Sequence, residues 1–407
     1  AASLAGGDRG CGDRPLEHRR PHCARRRPRL PPALAFALLH RCGSGGRAEE
    51  CPAAGLALGH LEPGCCVGML RSSVRDRLLG EMVGSCTDGL AGEDEWCVLI
   101  VDKVTARVVS SACTVSDLVD KKVSVVEDLS KKRQPLKSSS AIYFISPSPE
   151  SVGALLADFK DAKSAMYKSA SVFFSSEVPR RELDRIKGQA ALVSHLAALS
   201  EFNLEFLAAE SRCFTVDCPG ALVEAFGEEA IATGSYDRVL DTVTNRLATL
   251  FASLKEFPAI RFKGAKPPGE GEPPGASERA LIPQRVAVAL HNKLAGLHGR
   301  VPSMPASETC ELLVLDRGLD PVAPVIHEWT YECMCHDLLD VDGNNVFAYT
   351  FDTGGGGQER RSVILGEHDP VWRELRHRHI AEASLALNDK MNYFKSQNRV
   401  AQRRQGG

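Results

Sequence analysis

Residues 307–340 read SETCELLVLDRGLDPVAPVIHEWTYECMCHDLLD, and this stretch decides the class of fold. Residues 311–315 form a short apolar run, which is typical of a buried strand. Residues 318–321 contain glycine and proline and indicate a turn. A helix is predicted from Val325 onward, and its apolar side chains recur on one side: Ile326, Trp329, Tyr331, Met334 and Leu338. A strand, a charged turn and a helix in succession predict an α/β sheet.

Two carboxylates, Asp316 and Asp320, follow the predicted strand and raise an enzymatic alternative. Enzymes use a pair of carboxylates at a strand end to hold a metal ion or to transfer a phosphoryl group. Phosphatases that form an aspartyl phosphate, however, carry the second Asp two residues after the first, and Gly318 stands there. The structural interpretation is that these side chains pair with neighbours or cap backbone groups. The alternative of a metal-dependent phosphoryl-transfer or hydrolytic α/β enzyme stays open at this point.

Three long segments carry a resemblance to a known family. They are residues 312–340, HDPVWRELRHRHIAEAS at 368–384 and SLKEFPAIRFKG at 253–264. In them the chain resembles the Sec1/Munc18 (SM) family of syntaxin-binding proteins, and most of all the plant Sec1 branch with its cytokinesis proteins. The resemblance implies an α/β fold arranged as an arch, with doubly wound, largely parallel sheets in domains 1 and 2. The start of a mostly helical domain 3 would follow.

The resemblance also implies domain boundaries. Domain 1 is expected at 69–202, the first part of domain 2 at 203–318 and the beginning of domain 3 at 319–407. In the family, more of domain 3 and the strands that complete the domain 2 sheet come later, so the chain is expected to be truncated at its C-terminal end. An incomplete sheet would expose an edge and an apolar face. We therefore expect domain 1 to fold alone and the remainder to be poorly stable.

Apolar runs alternate with helical stretches in the expected domain 1, which predicts a parallel, doubly wound sheet. Strands are predicted at 97–102, 104–110, 123–127, 141–145 and 171–174, and helices at 151–160 and 179–187. No turn between them supplies a phosphate-binding loop of the GxGxxG or GxxxxGK[ST] type. The sequence therefore predicts no nucleotide and no other cofactor.

Beyond residue 202 the pattern predicts a second α/β block and then a helical segment. Strands are predicted at 202–206 and 212–216, and a polar, β-like loop region at 340–359. Helices are predicted at 221–226, 236–254, 281–297 and 369–395. The last helical segment has the following expected buried residues: Trp372, Leu375, Ile380, Leu385, Leu387 and Phe394.

Residues 1–68 differ in composition from the rest of the chain. They are rich in Arg, Gly, Ala, Pro and Cys and contain no Lys, Ile, Asn, Gln, Thr, Tyr or Trp. The first methionine is Met69, and LRSSVRDRLLGEMV after it predicts an amphipathic helix. We interpret residues 1–68 as a disordered or non-native leader. A targeting peptide or an RNA-binding arm is the alternative for the basic run at 19–29.

Length, charge and cysteine content limit the class of protein. The 407 residues suffice for two or three domains, and 50 basic against 52 acidic residues give a net charge of −2. This balance provides no drive toward nucleic acid or an anionic membrane, and no apolar run reaches the ~18 residues of a membrane span. Cys333, Cys335 and His336 lack the spacing of a structural zinc site. Core packing is the favoured interpretation of these cysteines, and no metal site is predicted.

The resemblance implies a binding protein and not an enzyme. Members of the family hold a syntaxin-type (Qa) SNARE in a cleft and guide assembly of the SNARE complex in vesicle docking, fusion and exocytosis. The implied partner is such a SNARE, the membrane is reached only through it, and nucleic acid is not bound. The implied location is cytoplasmic, with peripheral recruitment to the plasma membrane or to transport vesicles.

The resemblance places two binding sites on domain 1. Matched by motif, VDKVTARV and VVEDLSKKR give these residues of the syntaxin cleft: Asp102, Arg107, Glu127, Lys131 and Arg133. The helix after Pro179 gives Leu183 and Ile186 as residues of a pocket for the syntaxin N-terminal peptide. From the residues alone, the charges are equally well ordinary solvated ones, and apolar residues of a helix are more often core. Mixed charges of this kind are what the steering and register of a charged helix require.

Overall fold

A computed structural model gives the three-dimensional structure of the chain. It describes these residues: 34–40, 70–88, 95–161, 164–264, 269, 271, 275–301, 304–342, 345–353 and 357–398. Within the leader expected at 1–68, it describes a strand, β1 (Leu34–His40), in the apolar run LAFALLH. The remainder of that leader lies outside the described residues.

A helix follows Met69, as the amphipathic pattern predicts. It begins as α1 (Leu70–Asp76), continues through a π-helical stretch (Arg77–Gly84) and ends as α2 (Ser85–Thr87). Val74, Leu78 and Met82 recur at helical spacing and are fully buried. This side of the helix therefore belongs to the apolar core.

Five parallel strands form the first sheet. In chain order they are β2 (Cys97–Val101), β3 (Val123–Asp128), β4 (Leu136–Ile145), β5 (Tyr167–Phe174) and β6 (Leu196–Glu201). In space their order is β3-β2-β4-β5-β6. The helices between the strands are α3 (Lys103–Ala112), α4 (Val115–Val119), α5 (Pro149–Asp158), α6 (Arg180–Lys187) and α7 (Ala190–His195).

Helices cover both faces of this sheet. Val108 of α3 packs with Leu99 in one apolar cluster, whereas Val152 of α5 and Ile186 of α6 pack with Ile100 in another. All of β2 is buried because both of its faces are covered. The parallel, doubly wound sheet predicted from the sequence is thus confirmed for residues 97–201.

The strand predicted at 104–110 is wrong, because these residues form α3. The Asp102 side chain accepts hydrogen bonds from the first turn of the helix, and the Thr105 side chain bonds back to the Asp102 amide in a capping box. Thr105, Val108 and Val109 then lie at helical spacing on the buried side. A strong cap and this spacing override the β-propensity of the branched side chains.

The strand predicted at 202–206 is displaced toward the N-terminus. The strand of the structure, β6, ends at Glu201, although Phe202, Leu204 and Phe206 alternate and are buried. Asn203 between them has a φ of 52°, a left-handed conformation that a strand does not accommodate. The alternating apolar residues are therefore buried side chains of a turn, and they do not form a strand.

The connection from β3 to β4 contains no helix. Residues 129–135 leave the carboxyl end of β3 and return to the amino end of β4 on the far side of β2. Leu129 is buried in the apolar cluster that also contains α5, so the connection lies on that face of the sheet. Parallel strands are usually joined by a longer, helical crossover. We call residues 129–135 the strap.

A second block follows the first sheet. Two short antiparallel strands, β7 (Leu207–Ala208) and β8 (Phe214–Thr215), begin it. The remaining elements are α8 (Ala221–Phe226), α9 (Ser235–Leu254), β9 (Pro258–Phe262), α10 (Ala276–Ala280), α11 (Ile282–Leu297) and β10 (Cys310–Asp316). The helices predicted at 221–226, 236–254 and 281–297 are confirmed, as is the strand of the opening stretch.

The sheet of the second block is mixed. β9 and β10 are parallel, with Pro258 opposite Cys310. β1 pairs antiparallel with the other side of β10, with Leu34 opposite Asp316. The sequence predicts a largely parallel sheet here, whereas the described strands contribute one parallel and one antiparallel pairing.

Helices and a hairpin follow β10. Turns of 3-10 helix (Arg317–Leu319 and Ala323–Val325) lead to α12 (Tyr331–Leu338). The next elements are the antiparallel strands β11 (Val346–Thr353) and β12 (Gly357–Ile364), then α13 (Pro370–Leu375) and α14 (Ile380–Gln397). The mostly helical character expected from residue 319 onward is therefore modified by a β-hairpin.

The helix predicted from Val325 begins only at Tyr331. Thr330 forms an antiparallel bridge with His379, and the backbone is extended at both Ile326 and Thr330. As a result, the side chains of Ile326 and Trp329 are exposed rather than placed on the buried side of a helix.

The last helices differ in how far they are buried. Trp372 and Leu375 of α13 are buried as predicted, but Leu385 and Phe394 of α14 are exposed. In α14 the buried residue is Ala383. Helical periodicity therefore identified the helical segment at 369–395, but neither its division into α13 and α14 at 376–379 nor the side that is covered.

One apolar cluster joins the two blocks. It contains fully buried residues from α1, β2, α9, α11 and β10, among them Val74, Leu99, Leu247, Leu290 and Val314. Residues on both sides of position 202 thus share a core. The domain boundaries expected at 202 and 318 stay predictions.

Candidate functional site

Asp102 occupies the carboxyl end of β2. At this strand the strand order of the sheet reverses, because β3 lies on one side of β2 and β4 on the other. The next strand in space, β4, ends beside it, and the helices that follow the two strands lie on opposite faces. In sheets of this kind, ligands bind in the crevice at this point. Here the Asp102 carboxylate lies in that crevice, and the residue is 8% exposed.

The Asp102 carboxylate is surrounded by hydrogen-bond donors of the protein. One oxygen accepts from the amides of Val104 and Thr105, both at 3.0 Å. The other accepts from the amide and hydroxyl of Ser146, both at 2.6 Å, and from the Ser151 hydroxyl at 2.8 Å. The donors at this point of the crevice are thus engaged by Asp102, which ties α3, the residue after β4 and α5 together.

The charge of Asp102 is stabilised despite its burial. Burial by itself would raise the pKa of the carboxyl, but hydrogen bonds from Ser146, Thr105 and Ser151 outweigh it and hold the pKa below its ordinary value. Asp102 is therefore an ionised cap of α3. A partner could contact this carboxylate only by displacing these donors.

Arg107 lies in the exposed part of α3. Its guanidinium is paired with Asp217, and its side chain is 50% exposed. This ion pair connects the helix after β2 to the loop after β8. Half of the side chain remains open to a partner.

Glu127 and Arg133, which are apart in the sequence, are brought together by Tyr167. The Tyr167 hydroxyl donates to Glu127 Oε2 at 2.8 Å, and Arg133 Nη1 donates to the same hydroxyl at 3.2 Å. Arg133 Nη2 also binds both oxygens of Asp158 at 3.0 and 2.8 Å. Asp158 accepts a further bond of 2.8 Å from the Tyr143 hydroxyl. The five side chains form one continuous network from β3 across the strap to α5.

The network fixes the protonation of its members. Burial would lower the pKa of Arg133, but attraction to Asp158 and bonds to Asp158 and Tyr167 raise it. Burial raises the pKa of both tyrosines, and the acceptors Asp158 and Glu127 raise it further. The tyrosines consequently stay hydrogen-bond donors. The Arg133 side chain is 6% exposed and belongs to the interior.

Lys131 projects from the strap into solvent. Its side chain is 77% exposed and lies 3.7 Å from an Asp128 oxygen at the end of β3. The other Asp128 oxygen accepts from the amide and hydroxyl of Ser130 at 2.9 and 2.7 Å, which shapes the start of the strap. Bonds from Ser130 lower the pKa of Asp128. Lys131 is therefore an exposed cation on a fixed backbone turn.

The two residues of the expected peptide pocket differ in exposure. Leu183 of α6 is half-buried, whereas Ile186 is 1% exposed and packs in the cluster with α5 and α7. The pocket assignment of Ile186 therefore needs correction, because its side chain is part of the core. The helical spacing that suggested the pair is the spacing of a buried stripe.

Asp316 and Asp320 serve the backbone. Asp316 Oδ1 accepts from the Gly318 amide at 2.7 Å, and Asp320 Oδ1 accepts from the Val322 and Ala323 amides at 3.0 and 3.2 Å. These are the capping bonds of the structural interpretation, and nothing in this geometry favours the enzymatic alternative. Within the part of the chain that the structure describes, no group of three or more His, Cys, Asp or Glu residues is placed to hold a metal ion.

Sequence analysis missed the residues that complete both arrangements. Ser146 and Ser151 follow β4, and Tyr143, Tyr167 and Asp158 lie on β4, β5 and α5. The available signal is a tyrosine in each of two otherwise apolar strands, since a buried phenol needs a partner for its hydroxyl. Which partner it finds depends on strand order, which no local pattern gives.

Among the helices of residues 70–398 that are described, none has the length and hydropathy needed to cross a bilayer.

Comparison with known proteins identifies the family. A profile of the Sec1 family matches residues 97–407. The SNARE-interacting protein KEULE of Arabidopsis thaliana is 45% identical over 332 residues, which cover 82% of this chain and 49% of that protein. The chain thus spans about half the length of the curated relatives it matches.

Solved structures show the same relationship. The Unc18–syntaxin 1 complex from Monosiga brevicollis superposes with a TM-score of 0.66 at 30% identity, over 80% of this chain and 53% of that one. The SM protein Vps45 in complex with the Qa SNARE Tlg2 gives 0.61 at 18% identity over 81% and 53%, a likeness of fold alone. With this fold, and a family match over most of its length, the chain belongs to the Sec1 family.

Proposed function

We propose that this chain binds a syntaxin-type (Qa) SNARE and regulates assembly of the SNARE complex. The observation that carries the proposal is family membership together with the superposition on an Unc18 protein in complex with syntaxin 1. The relative KEULE is named as a SNARE-interacting protein. The role is one of binding, with no catalytic step and no cofactor.

The charged residues beside the carboxyl ends of β2 and β3 form the proposed contact surface. Arg107, Glu127 and Lys131 are partly or largely exposed and combine both signs of charge. Such a surface steers a charged helix and sets its register. Asp102 and Arg133 support this surface from the interior and are not proposed to touch the partner.

The proposed setting is vesicle traffic. By binding a SNARE, the chain would act in vesicle docking and fusion, in exocytosis and secretion, and in the cytokinesis that depends on them. It would reside in the cytoplasm and reach the plasma membrane or transport vesicles as a peripheral protein, through the SNARE.

Titration calorimetry of the full chain with the cytosolic parts of a panel of syntaxin-class SNAREs tests the proposal. We expect micromolar or tighter binding to at least one of them. Lys131→Glu should weaken it about tenfold, since a reversed charge repels what the lysine attracts. Lys263→Glu, at an exposed lysine that follows β9 in the second block, is the matched control and should leave the affinity unchanged. Absence of binding to every SNARE by the folded chain would refute the proposal.

Leu183 remains the candidate for the second site, which takes the N-terminal peptide of the SNARE. Its half-buried position on α6 leaves part of the side chain to a ligand. Leu183→Ala should weaken binding of the isolated N-terminal peptide and leave binding of a SNARE without that peptide intact. Equal effects on both ligands would remove Leu183 from the site.

A further inference from the structure

The strap is an unusual connection because it is held at its ends and in its middle rather than by helical hydrogen bonds. At its start, the Leu129 amide donates to the Val101 carbonyl at 2.8 Å and the Leu129 side chain is buried. At its end, the Leu136 amide donates to the Met166 carbonyl at 2.8 Å. Backbone position is therefore fixed on both sides of Lys131 and Lys132.

Arg133 supplies the middle anchor. Its guanidinium binds Asp158 through both carboxylate oxygens and also reaches the Leu129 carbonyl at 3.4 Å, within the strap itself. Because Nη2 binds Asp158 while Nη1 of the same planar group donates to the Tyr167 hydroxyl, the guanidinium is fixed in direction as well as in distance. Since Arg133 points inward, Lys131 and Lys132 are turned toward solvent.

The same network also fixes the position of Glu127, the acidic residue of β3 on this surface. Tyr167 accepts from Arg133 and donates to Glu127, so one phenol links the strap anchor to the half-buried carboxylate at the end of β3. Tyr167 is itself 1% exposed and cannot move without disturbing the core. Glu127 and the backbone that carries Lys131 and Lys132 are thus held in a set arrangement at one edge of the sheet.

We propose that the strap is a preorganised recognition element, in which Lys131 and Lys132 contact an acidic stretch of the helical SNARE while Arg133 is a positioning residue that does not touch it. The proposal rests on the proposed function and adds which part of the surface reads the partner and what holds it in place. Preorganisation raises affinity because less conformational freedom is lost on binding. The half-exposed Glu127 beside the lysines favours a protein helix of mixed charge over an anionic lipid surface.

A double-mutant cycle tests the proposal on the full chain. Arg133→Lys keeps the charge but has one nitrogen in place of the two that bind Asp158 and the Tyr167 hydroxyl, and Lys131→Ala with Lys132→Ala removes the proposed contacts. We expect Arg133→Lys to lower SNARE affinity about fivefold in the wild-type background and to have no effect when both lysines are absent. Hydrogen exchange of the strap amides should accelerate in Arg133→Lys, while the amides of β2 stay protected.

A matched pair of variants at Glu127 gives a second test, by hydrogen exchange, that does not depend on SNARE binding. Glu127→Gln keeps an acceptor for the Tyr167 hydroxyl, whereas Glu127→Ala removes it. If the network positions the strap, strap amides should exchange at the wild-type rate in Glu127→Gln and faster in Glu127→Ala. Equal strap exchange in the two variants would contradict the link through Tyr167.

The outcomes separate this proposal from the proposed function. Binding by the wild-type chain with no loss in the double lysine variant would overturn the strap proposal and leave the SNARE assignment standing. An equal loss from Arg133→Lys in both backgrounds would show a merely structural role and also overturn it. Binding to phosphatidylserine vesicles that disappears with the two lysines would assign them to lipid instead. No SNARE binding by the wild-type chain would remove both proposals.

Discussion

The carboxylate of Asp102 shows how one residue can organise the meeting point of several elements. It is buried, yet it remains ionised because amides and hydroxyls of α3, β4 and the start of α5 all point at it. A buried charge is tolerated only when hydrogen bonds replace its water. The position of α3, and with it that of Arg107, therefore depends on this side chain.

Replacement of Asp102 by Asn should destabilise the chain by about 2–4 kcal/mol at neutral pH, because an amide group would present donors to the donors that now surround the carboxylate. The pKa of Asp102 is lowered on folding. Its contribution is therefore fully present above the unfolded value of about 3.9 and is lost as the pH falls through the lower folded value. Urea unfolding of both proteins at pH 7 and in that acid range measures the difference, which should shrink in acid.

The control for this prediction is Asp120→Asn, an exposed carboxylate at the end of α4. It should change the free energy of unfolding by less than about 0.5 kcal/mol. A stability loss for Asp102→Asn no larger than that of the control would show that the hydrogen bonds around Asp102 do not stabilise the fold.

At this scale the sequence predicts some residues well and others not at all. That Asp102 stands at a strand end follows from the apolar run CVLIV before it. That Ser146 and Ser151 meet it does not, because the pairing of β2 with β4 brings them there from a distant part of the chain. For the same reason the sequence does not show that the Arg133 side chain is buried, because strand order brings Asp158 and Tyr167 to it.

At the scale of elements, Arg77 ties the first helix to the rest of the fold. From the π-helical stretch it donates to the Asn203 carbonyl at 3.0 Å, to the Ser253 hydroxyl at 2.7 Å and to the Phe202 carbonyl. Its guanidinium also lies 4.4 Å from the centre of the Phe202 ring. Burial lowers the pKa of this arginine, although the bond to Glu81 opposes the change. One side chain thus joins the helix to the turn after β6 and to α9.

Arg77→Met should lower the free energy of unfolding by about 2–4 kcal/mol, because buried carbonyls would lose their donor. Arg75→Met on the same helix is the control; that arginine is exposed and pairs with Asp117, and its loss should leave the unfolding midpoint nearly unchanged. Guanidinium titration followed by circular dichroism compares the two. Equal midpoints would mean that the contacts of Arg77 are replaced by water without cost.

Elements with one dominant signal were predictable from the sequence, and elements with competing signals were not. β2 is a continuous apolar run, α9 and α11 have a clear helical period, and these elements, like α8, are found where expected. In α3 the β-branched residues compete with a cap, and the cap prevails. The start of α12 was misplaced because Trp329 and Ile326 continue its period while the bridge from Thr330 to His379 prevents a helix.

At the scale of the molecule, the shared core changes how stability should be distributed. The sequence suggested that residues 69–202 fold alone, but Leu99 of the first sheet and Leu247 and Val314 of the second block lie in one cluster. Residues that share a close-packed core lose stability together. We therefore expect residues 70–314 to unfold as one cooperative unit.

Leu247→Ala tests this expectation. The side chain is fully buried in α9, so its truncation should cost about 2–5 kcal/mol. Native-state hydrogen exchange should then show an equal loss of protection in β2 and in β10. Protection lost in β10 alone would restore the picture of an independent first domain.

Arg376 connects the last helices to this unit. Its guanidinium contacts Glu210, Glu332 and Glu367, and Glu367 accepts from the amide and hydroxyl of Ser211 at 2.8 and 2.6 Å. Burial would raise the pKa of Glu367, but the bonds from Ser211 and the charge of Arg376 lower it. Because three acidic groups surround Arg376, its positive charge is needed to offset their mutual repulsion.

Arg376→Leu should leave the three glutamates in mutual repulsion and release residues 331–397 from the loop at 209–211. Hydrogen exchange in α12 and α14 should accelerate, while β2 keeps its protection. Arg378→Leu, whose partner Glu374 is as exposed as the arginine, is the control and should change neither. Unchanged exchange in Arg376→Leu would place the connection elsewhere.

The occupied crevice at Asp102 also bears on how such a chain could be inhibited. Medicinal chemistry on doubly wound sheets usually begins with nucleotide-like fragments, which settle at the carboxyl ends of the strands. Here the serine hydroxyls and backbone amides at that position already donate to Asp102, so such fragments would have to compete with a buried carboxylate for these donors. A blocking compound would have to lie across an open, charged surface, a task better suited to a stapled peptide than to a drug-sized molecule.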